Sequence, residues 1–390
     1  MRKVLYRLLD EISSLRLTIF CLSAALVLVL AGTLAQVRLG LFFVQESYFQ
    51  SWFVRWAVTP DGPRIPVFPG GHLIGAVLLV NLLAAHIRRF KWTWQKFGIQ
   101  LTHLGLIVML AGGLATDLFS VSSYLRLKEG ETKNYSEDSM RMELAVTDQT
   151  DPAADLITAI PGSVLSRGGT IADASLPFRI LVRSFYRNSE LKMIAQGEAA
   201  SVPAATKGAG ARISVRSSPR ATRMEERDVM SAVLEILPSG GEPSLGTWLV
   251  SDAMAAVQEF ELGGRRWSLQ LRPARYYKPY SLTLRDFTHE VYPGTRIPKD
   301  FSSTVQLSDP ENRENRQVRI YMNHPLRYLG ETYYQSGFEP DDSGTVLQVV
   351  RNPGYQTPYI ACVMVSLGLI LQFTLHLSGF SRRAKKTVRP

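Results

Sequence analysis

Four blocks of apolar residues, uncharged except for Asp117 near the end of the third, interrupt the mixed composition of this 390-residue chain. A helix rises about 1.5 Å per residue, so blocks of this length suit a hydrocarbon core roughly 30 Å thick. The pattern predicts four transmembrane helices at residues 17–37, 72–87, 97–118 and 357–380. The second block is the shortest, and we expect the preceding Val67–Gly71 to complete its crossing at the membrane interface.

The pattern between the third and fourth blocks is different, because apolar and polar residues alternate there in short runs. Alternation with a period of two is typical of half-buried strands. The runs are Met140–Val146, Phe178–Val182, Val229–Leu237, Val257–Leu262, Arg265–Leu271 and Val346–Val350. Gly263 and Gly264 separate two of them and predict a tight hairpin. Residues 119–356 are therefore expected to form a large, mostly antiparallel β domain.

One stretch of this region, Ala199–Arg223, is rich in Ala, Ser, Gly and Arg and has few large apolar residues. Such a composition buries too little apolar surface to order itself. The sequence predicts a mobile loop here.

The net charge of +10 reflects Lys and Arg residues that cluster beside the apolar blocks. They occur in the N-terminal segment 1–16, the loop 88–96 and the tail 381–390. Short segments rich in Lys and Arg stay in the cytoplasm, and four spans put all three on one side. The loop 38–71 and the domain 119–356 are then expected outside a bacterial inner membrane. No nucleic-acid motif accompanies the charge.

The outer loop contains a run of aromatic residues at spacings of one to four, namely Tyr48, Phe49, Trp52, Phe53 and Trp56. This spacing predicts a short amphipathic helix. The helix would either lie flat at the membrane interface or pack on the soluble domain.

The only two cysteines, Cys21 and Cys362, fall inside apolar blocks. The soluble domain therefore has no thiol with which to form a disulfide or to exchange one. The sequence also contains no nucleophile elbow, no phosphate-binding glycine loop and no zinc-type Cys/His spacing. We expect a docking or gating domain rather than a catalytic one.

Six histidines can be sorted by their predicted position in the membrane. His289 and His324 in the outer domain, and His72 and His376 at helix ends, are assigned ordinary surface or structural roles. His86 lies near the cytoplasmic interface, where it can reach water, and is the weaker ligand candidate.

His103 is the stronger candidate, because it lies six residues into the third span, about 9 Å deep at 1.5 Å per residue. A polar side chain at that depth is expected to face protein, a cavity or a ligand. Gly98, Gly105 and Gly112 form a small-residue stripe suited to close helix packing, and His103 projects from another side of the helix. An imidazole on an apolar face suits a haem iron or a partner helix, with a packed, hydrogen-bonded histidine as the alternative.

Several short motifs follow one another in a specific order along the chain. They are Ser14–Thr18, Gly32–Thr33, Thr102–Gly105 with Gly112–Gly113, Met322–Leu326 and Tyr333–Gln335. Together with three spans, an outer domain and a final span, they resemble the ResB (CcsB) family of cytochrome c biogenesis proteins.

The resemblance implies a haem-handling subunit of the system II cytochrome c synthase. Such a subunit works with a ResC (CcsA) partner to move haem b outward and attach it to the CXXCH thiols of apocytochrome c. His103 matches the family's transmembrane histidine, an axial ligand of the haem iron, whereas His86 matches no ligand position. A thioredoxin-like thiol reductant is a further candidate partner. The WWD segment and the outer histidine pair, which belong to ResC, do not occur here, so the chain alone is not expected to be a complete synthase.

Two other classes of protein stay open from the sequence. One is a membrane-anchored scaffold that binds apocytochrome and in which His103 only packs. The other is a cytochrome b-like electron-transfer protein, for which His86 and His103 would be the histidine pair in one leaflet.

Overall fold

The computed structural model describes residues 9–57, 63–89, 93–152, 154–194, 204–219, 221, 228–254, 256–295 and 298–387. The chain divides into two compact units. The membrane unit contains the described residues up to 121 and from 352 onward, and the β unit contains most of residues 122–351. Several basic residues used to predict the topology lie outside the described residues, namely Arg2, Lys3, Arg7, Lys91 and Arg389.

The membrane unit is built on four helices that are long and apolar enough to cross a membrane. They are α1 (Leu15–Leu39), α2 (Gly71–Arg89), α3 (Phe97–Phe119) and α4 (Thr357–Thr387). The predicted fold class, four membrane-spanning helices joined to a mostly antiparallel β domain, is confirmed.

Helix α1 begins where the sequence supplies a cap. The hydroxyl of Ser14 accepts a hydrogen bond from the backbone N–H of Leu17 at 3.3 Å, which satisfies one of the free donors in the first turn. The helix ends at Gly40, whose φ of +80° favours glycine.

Helices α3 and α4 pack with their backbones in close contact along the predicted glycine stripe. A Cβ atom placed on Gly98 would lie 2.6 Å from the carbonyl oxygen of Gly368, and one placed on Gly105 would lie 3.0 Å from that of Ala361. A Cβ atom on Gly112 would overlap the side chain of Thr357. Because no larger residue fits at these positions, the stripe determines which side of α3 faces α4.

The predicted amphipathic helix in the loop 38–71 is wrong for most of its length. Helical turns occupy only Leu41–Val44 and Gln45–Phe49, and a β-hairpin of β1 (Phe53–Ala57) and β2 (Arg64–Pro69) follows. The aromatic spacing also suits a strand, and the partner strand that decides the outcome lies about ten residues further along the chain.

The β unit contains sixteen strands among its described residues, counting the first residue of β3. They are β3 (Val121–Lys128), β4 (Thr132–Asp148), β5 (Leu156–Pro161), β6 (Gly169–Ile171), β7 (Phe178–Tyr186), β8 (Ser189–Met193), β9 (Ile213–Ser217), β10 (Ser231–Pro238), β11 (Thr247–Ser251), β12 (Gln258–Leu262), β13 (Arg265–Val291), β14 (Pro298–Asp309), β15 (Glu314–Ile320), β16 (Leu326–Tyr328), β17 (Glu331–Phe338) and β18 (Gly344–Arg351).

These strands form a ten-stranded sheet, a four-stranded sheet and a two-stranded ribbon. The largest sheet has the order β15-β14-β13-β4-β3-β18-β17-β16, with β12 paired to β13 and β5 paired to β4. The four-stranded sheet has the order β11-β10-β7-β6, and the ribbon pairs β8 with β9. The predicted turn at Gly263–Gly264 is confirmed, since Leu262 pairs with Arg265 and both glycines have positive φ.

The two largest hydrophobic cores among the described residues of the β unit both receive side chains from the long strand β13. Its first part packs Trp267 and Leu269 with residues of β7 and β10, including Phe178 and Leu234. Its later part packs residues such as Leu284 into a second core with β3, β14, β17 and β18. Alternating apolar positions supply both cores, as the period of two predicts.

The predicted mobile loop Ala199–Arg223 is wrong for residues 204–219, and residues 199–203, 220, 222 and 223 lie outside the described part. Strand β9 and the 3-10 helix Gly208–Arg212 occur here, and Ala205 and Ile213 are buried against Leu249. The segment is ordered because the sheet residues Val233 and Leu249 supply apolar surface that its own composition lacks.

Adjacent glycines near the end of α3 allow a matched test of the helix packing. Gly112→Ala is expected to lower the free energy of unfolding by about 1–3 kcal/mol, because the new Cβ overlaps Thr357. Gly113→Ala is expected to have little effect, since a Cβ there meets nothing within 4 Å. Thermal unfolding of the detergent-solubilised chain measures both, and equal losses in the two variants would contradict the packing.

Candidate functional site

His103 lies on α3, two residues before the buried Gly105. At about 100° per residue its side chain leaves the helix roughly 200° from Gly105, so it does not belong to the stripe that faces α4. The imidazole is half-buried, and Leu106 and Leu114 on the same helix are 37% and 46% exposed. The histidine thus occurs on an apolar part of α3 that α4 does not cover.

His86 lies on α2, which packs against α3, and is also half-buried. The two ligand candidates are therefore on adjacent helices. His86 precedes Arg88, whose guanidinium forms an ion pair with Asp10 near the start of α1. This position agrees with a helix end rather than with the middle of a span.

The donor set near His103 suits a haem iron better than a free metal ion. Among the described residues, no group of three or more His, Cys, Asp or Glu side chains could hold a metal ion. A haem iron already has four porphyrin nitrogens and needs only one or two axial ligands from protein. A single imidazole on an apolar helix face meets that requirement.

Asn81 on α2 is a polar residue whose role the sequence did not reveal. It is 2% exposed, its Nδ2 donates to the carbonyl oxygens of Ile12 and Ser14 at 2.5 and 3.1 Å, and its Oδ1 accepts from the Thr18 hydroxyl at 2.7 Å. Asn81 therefore ties the start of α1 to α2. An asparagine inside an apolar block is the signal that could have indicated it.

His72 and Asp117 form a second unpredicted contact, between the first turn of α2 and the end of α3. His72 Nε2 lies 2.7 Å from Asp117 Oδ2, and the ring of Trp52 meets the imidazole edge-on at 6.2 Å. The surface or structural role predicted for His72 therefore did not include its contact with Asp117. Because the carboxylate engages Nε2, the nitrogen that most often ligates haem iron is occupied in this histidine.

A buried polar network lies in the second core of the β unit and includes Tyr333 from the Tyr333–Gln335 motif. The hydroxyls of Tyr280 and Tyr333 lie 2.8 Å apart, and each donates to Glu331 Oε2, at 2.8 and 2.9 Å. Lys278 donates to Glu331 Oε1 at 2.6 Å. Burial, with the nearby Glu331 charge, raises the pKa of both tyrosines well above 10.

Gln335 of the same motif is also fully engaged. Its Oε1 accepts from the Ser303 hydroxyl at 2.7 Å, and its Nε2 donates to Thr345 Oγ1 and to the carbonyl oxygen of Gly337. Ser303 and Thr345 are both fully buried. This part of the motif therefore stabilises the packing of β14 against β17 and β18.

His289 on β13 is anchored by Asp342 and an aromatic ring. Its Nδ1 lies 3.0 Å from Asp342 Oδ1, and its ring centroid lies 4.1 Å from that of Phe338. Its Nε2 is buried and has no hydrogen-bond partner among the described residues. Phe301, which pairs with His289 across the strands, also contacts Phe338.

His324, in contrast, lies on an exposed turn between β15 and β16. This turn belongs to the Met322–Leu326 motif. Leu326 is buried in the second core, whereas Met322, Asn323 and His324 are exposed. The motif is therefore fixed to the second core by Leu326 and exposes its first three residues.

Comparison with known proteins places a family match on this part of the β unit. Residues 255–346, from β12 to the start of β18, match the ResB-like family. The predicted resemblance to the ResB family is thus confirmed for this segment. The segment includes the tyrosine network and both His289 and His324, but not His103.

Three relatives illustrate the similarity. Protein NrfI of Wolinella succinogenes is 35% identical over 92 residues, which cover 24% of this chain and 10% of NrfI. The cytochrome c biogenesis protein CcsB of Synechococcus sp. strain WH7803 is 34% identical over 102 residues, 26% of this chain and 22% of that protein. CcsB of Prochlorococcus marinus strain MIT 9313 is 32% identical over 105 residues, 25% of this chain and 24% of that protein. The chain thus matches less than two thirds of the length of each relative.

Replacing Asn81 by Leu would leave the Thr18 hydroxyl and the Ile12 and Ser14 carbonyls without that partner. We expect the free energy of unfolding to fall by about 1–3 kcal/mol. Thr33→Val is the control, because the Thr33 hydroxyl is exposed and donates to Val29 O within its own helix. Thermal unfolding in detergent compares the two variants. An Asn81→Leu variant as stable as Thr33→Val would contradict the role of Asn81 in tying the start of α1 to α2.

The buried tyrosines predict a loss of stability at alkaline pH. Their folded-state pKa values lie above the ordinary value of 10.0, so the unfolded chain releases these protons first as the pH rises. Stability is complete below pH 10 and should fall above it, by about 1.4 kcal/mol per pH unit for each tyrosine. Denaturant unfolding between pH 9 and about pH 11 measures the slope. Tyr333→Phe should have a shallower slope than the wild type, and identical slopes would contradict the assignment.

Proposed function

We propose that this chain is a haem-handling subunit of a membrane complex that matures cytochrome c. The observation that carries the proposal is the ResB-like segment 255–346, which occurs in a chain whose other unit has four helices apolar enough to cross a membrane. Relatives of that segment are named as cytochrome c biogenesis proteins. We extend that role to this chain.

In this proposal His103 supplies one axial ligand to the iron of haem b within the membrane. When bound, the haem supplies the prosthetic group that is to be attached to apocytochrome c. The half-buried position of His103 and the exposed leucines of α3 support this assignment, because a porphyrin needs an apolar surface beside its ligand. A ResC (CcsA)-type partner would supply the second ligand and the attachment site.

The β unit would hold apocytochrome c on the outer face of a bacterial inner membrane. Its described residues contain no cysteine, since Cys21 lies on α1 and Cys362 on α4. Keeping the apocytochrome thiols reduced would therefore require another protein, and a thioredoxin-like thiol reductant has the appropriate chemistry.

The decisive experiment is to purify the chain with a co-expressed ResC-type partner and to measure haem by pyridine haemochrome spectra. His103→Ala is expected to lose most of the bound haem. His376→Ala is the matched control, because this histidine is also on a membrane helix but is exposed, in the second half of α4. Unchanged haem content in the His103→Ala complex would contradict the ligand role.

A scaffold that binds apocytochrome without ligating haem is the second candidate. It is favoured by one observation, namely that the matched segment 255–346 lies in the β unit and excludes His103. Absence of haem in every preparation, together with retained binding of a CXXCH peptide, would support the scaffold. If the isolated chain held haem tightly and lost it in both His86→Ala and His103→Ala, the cytochrome b-like alternative would replace both.

A further inference from the structure

The turn between β15 and β16 holds an exposed imidazole in a fixed orientation. We name Tyr321–His324 the histidine turn. Tyr321 and His324 form an isolated β-bridge in which the backbone N–H of His324 donates to the backbone carbonyl oxygen of Tyr321 at 3.0 Å. Their rings stack with centroids 4.1 Å apart and planes 15° from parallel. A histidine on an exposed turn would otherwise sample several rotamers, so the stacking restricts it.

The hydrogen bond made by His324 also determines which nitrogen is available to a ligand. Its Nδ1 lies 3.2 Å from the carbonyl oxygen of Met322. A carbonyl oxygen can only accept, so Nδ1 must carry the proton and donate. In the neutral imidazole Nε2 then has the lone pair. Histidines that ligate metals show this arrangement, in which the second nitrogen donates to a carbonyl or a carboxylate.

A chain of contacts connects this exposed ring to the buried part of the sheet. The Arg319 guanidinium lies over the Tyr321 ring, 5.5 Å from its centroid. Its Nε and Nη2 donate to the Ser302 hydroxyl at 3.2 and 3.1 Å, and Ser302 on β14 is only 4% exposed. The Arg319 guanidinium thus packs on the Tyr321 ring and is itself fixed by its hydrogen bonds to the buried Ser302.

The other histidine of the β unit provides an internal comparison. His289 is also held through Nδ1, by Asp342, and also packs on an aromatic ring. Its Nε2 is buried, so no external metal can reach that lone pair. His324 combines a similarly held ring with exposure, and it is therefore the imidazole of this unit suited to an external ligand.

The number of protein ligands determines which metal centre fits. No group of three or more His, Cys, Asp or Glu in the described residues could bind a metal ion, so a free ion would find one imidazole and no closed site. A haem iron brings four nitrogens of its own and needs only an axial ligand. Met322, which is 50% exposed, offers apolar surface beside the imidazole.

We propose that the histidine turn is a second haem-iron binding site, separate from His103, with Nε2 of His324 as the axial ligand. Tyr321 and Arg319 are positioning residues. This proposal rests on the proposed function in one respect, namely that the iron complex bound by His324 is haem. It would give the β unit its own contact with haem, in addition to any contact with apocytochrome.

Haemin titration of the full detergent-solubilised chain tests this site, in a His103→Ala background that removes the membrane ligand. The His103→Ala chain is expected to bind haemin with the Soret spectrum of an imidazole ligand. His103→Ala with His324→Ala is expected to lose that spectrum, and adding His376→Ala instead should leave it unchanged. An unchanged spectrum and Kd in the His324→Ala chain would overturn the proposal.

The stacking of Tyr321 on His324 is tested separately, by the haemin affinity of Tyr321 variants of the His103→Ala chain. Tyr321→Leu is expected to weaken haemin binding about tenfold, the usual effect of removing a residue that orients a metal ligand. Tyr321→Phe should retain the affinity because it keeps the ring. Zn²⁺ alone is the competing probe, and displacement of haemin by stoichiometric Zn²⁺ would identify a free-ion site and overturn the haem assignment.

The two proposals can fail separately. Because the histidine turn can itself hold haem, co-purified haem is compared between the His324→Ala complex and the His103→Ala, His324→Ala complex, where its loss concerns the membrane ligand alone. Haemin binding in the His103→Ala background concerns the histidine turn alone. Far-UV circular dichroism of each His324 and Tyr321 variant shows whether the β unit remains folded.

Discussion

The close backbone contact between α3 and α4 determines which side of α3 packs against α4 and which side, with His103, points elsewhere. Gly98, Gly105 and Gly112 leave no room for a Cβ atom, so α4 packs on one defined side of α3. These two helices also flank the β unit in sequence, since β3 starts just after α3 and β18 ends just before α4. The first and last strands of the β unit are neighbours in its largest sheet, which requires the chain to enter and leave it close together. The same packing leaves His103 outside the α3–α4 contact.

Polar groups in apolar surroundings organise both units. In the membrane unit, Asn81 forms hydrogen bonds with Ile12 and Thr18 at the start of α1, and the Asp117 carboxylate pairs with the His72 imidazole. In the β unit, Glu331 accepts hydrogen bonds from two buried tyrosines. An unsatisfied polar group costs more as its surroundings become less polar, so each of these groups needs a defined partner. We propose a different role for His103 and His324, in which each imidazole binds haem iron.

The features that the sequence predicted correctly are those with local signals. Uncharged blocks predicted the helices, glycines seven residues apart predicted the α3 stripe, and Gly263–Gly264 predicted the β12–β13 turn. The features that were missed depend on residues far apart in the chain. The outer-loop hairpin needs β2 as its partner, residues 204–219 need the surface of β11, and His72 finds its partner 45 residues away. For the candidate site, the depth of His103 stays a prediction. The support of the histidine turn could not be predicted, because Arg319 is held by Ser302 on β14.

Chemical rescue of a His103 variant measures haem ligation by this side chain. His103→Gly removes the side chain that is proposed to ligate haem iron and leaves space for a free imidazole. In a His324→Ala background, which removes the histidine turn as a ligand, we expect this variant in complex with a ResC-type partner to hold little haem. Added imidazole is expected to restore both the haem and the Soret spectrum of the His324→Ala complex. A His103→Gly complex that keeps its full haem and spectrum without imidazole would contradict the account.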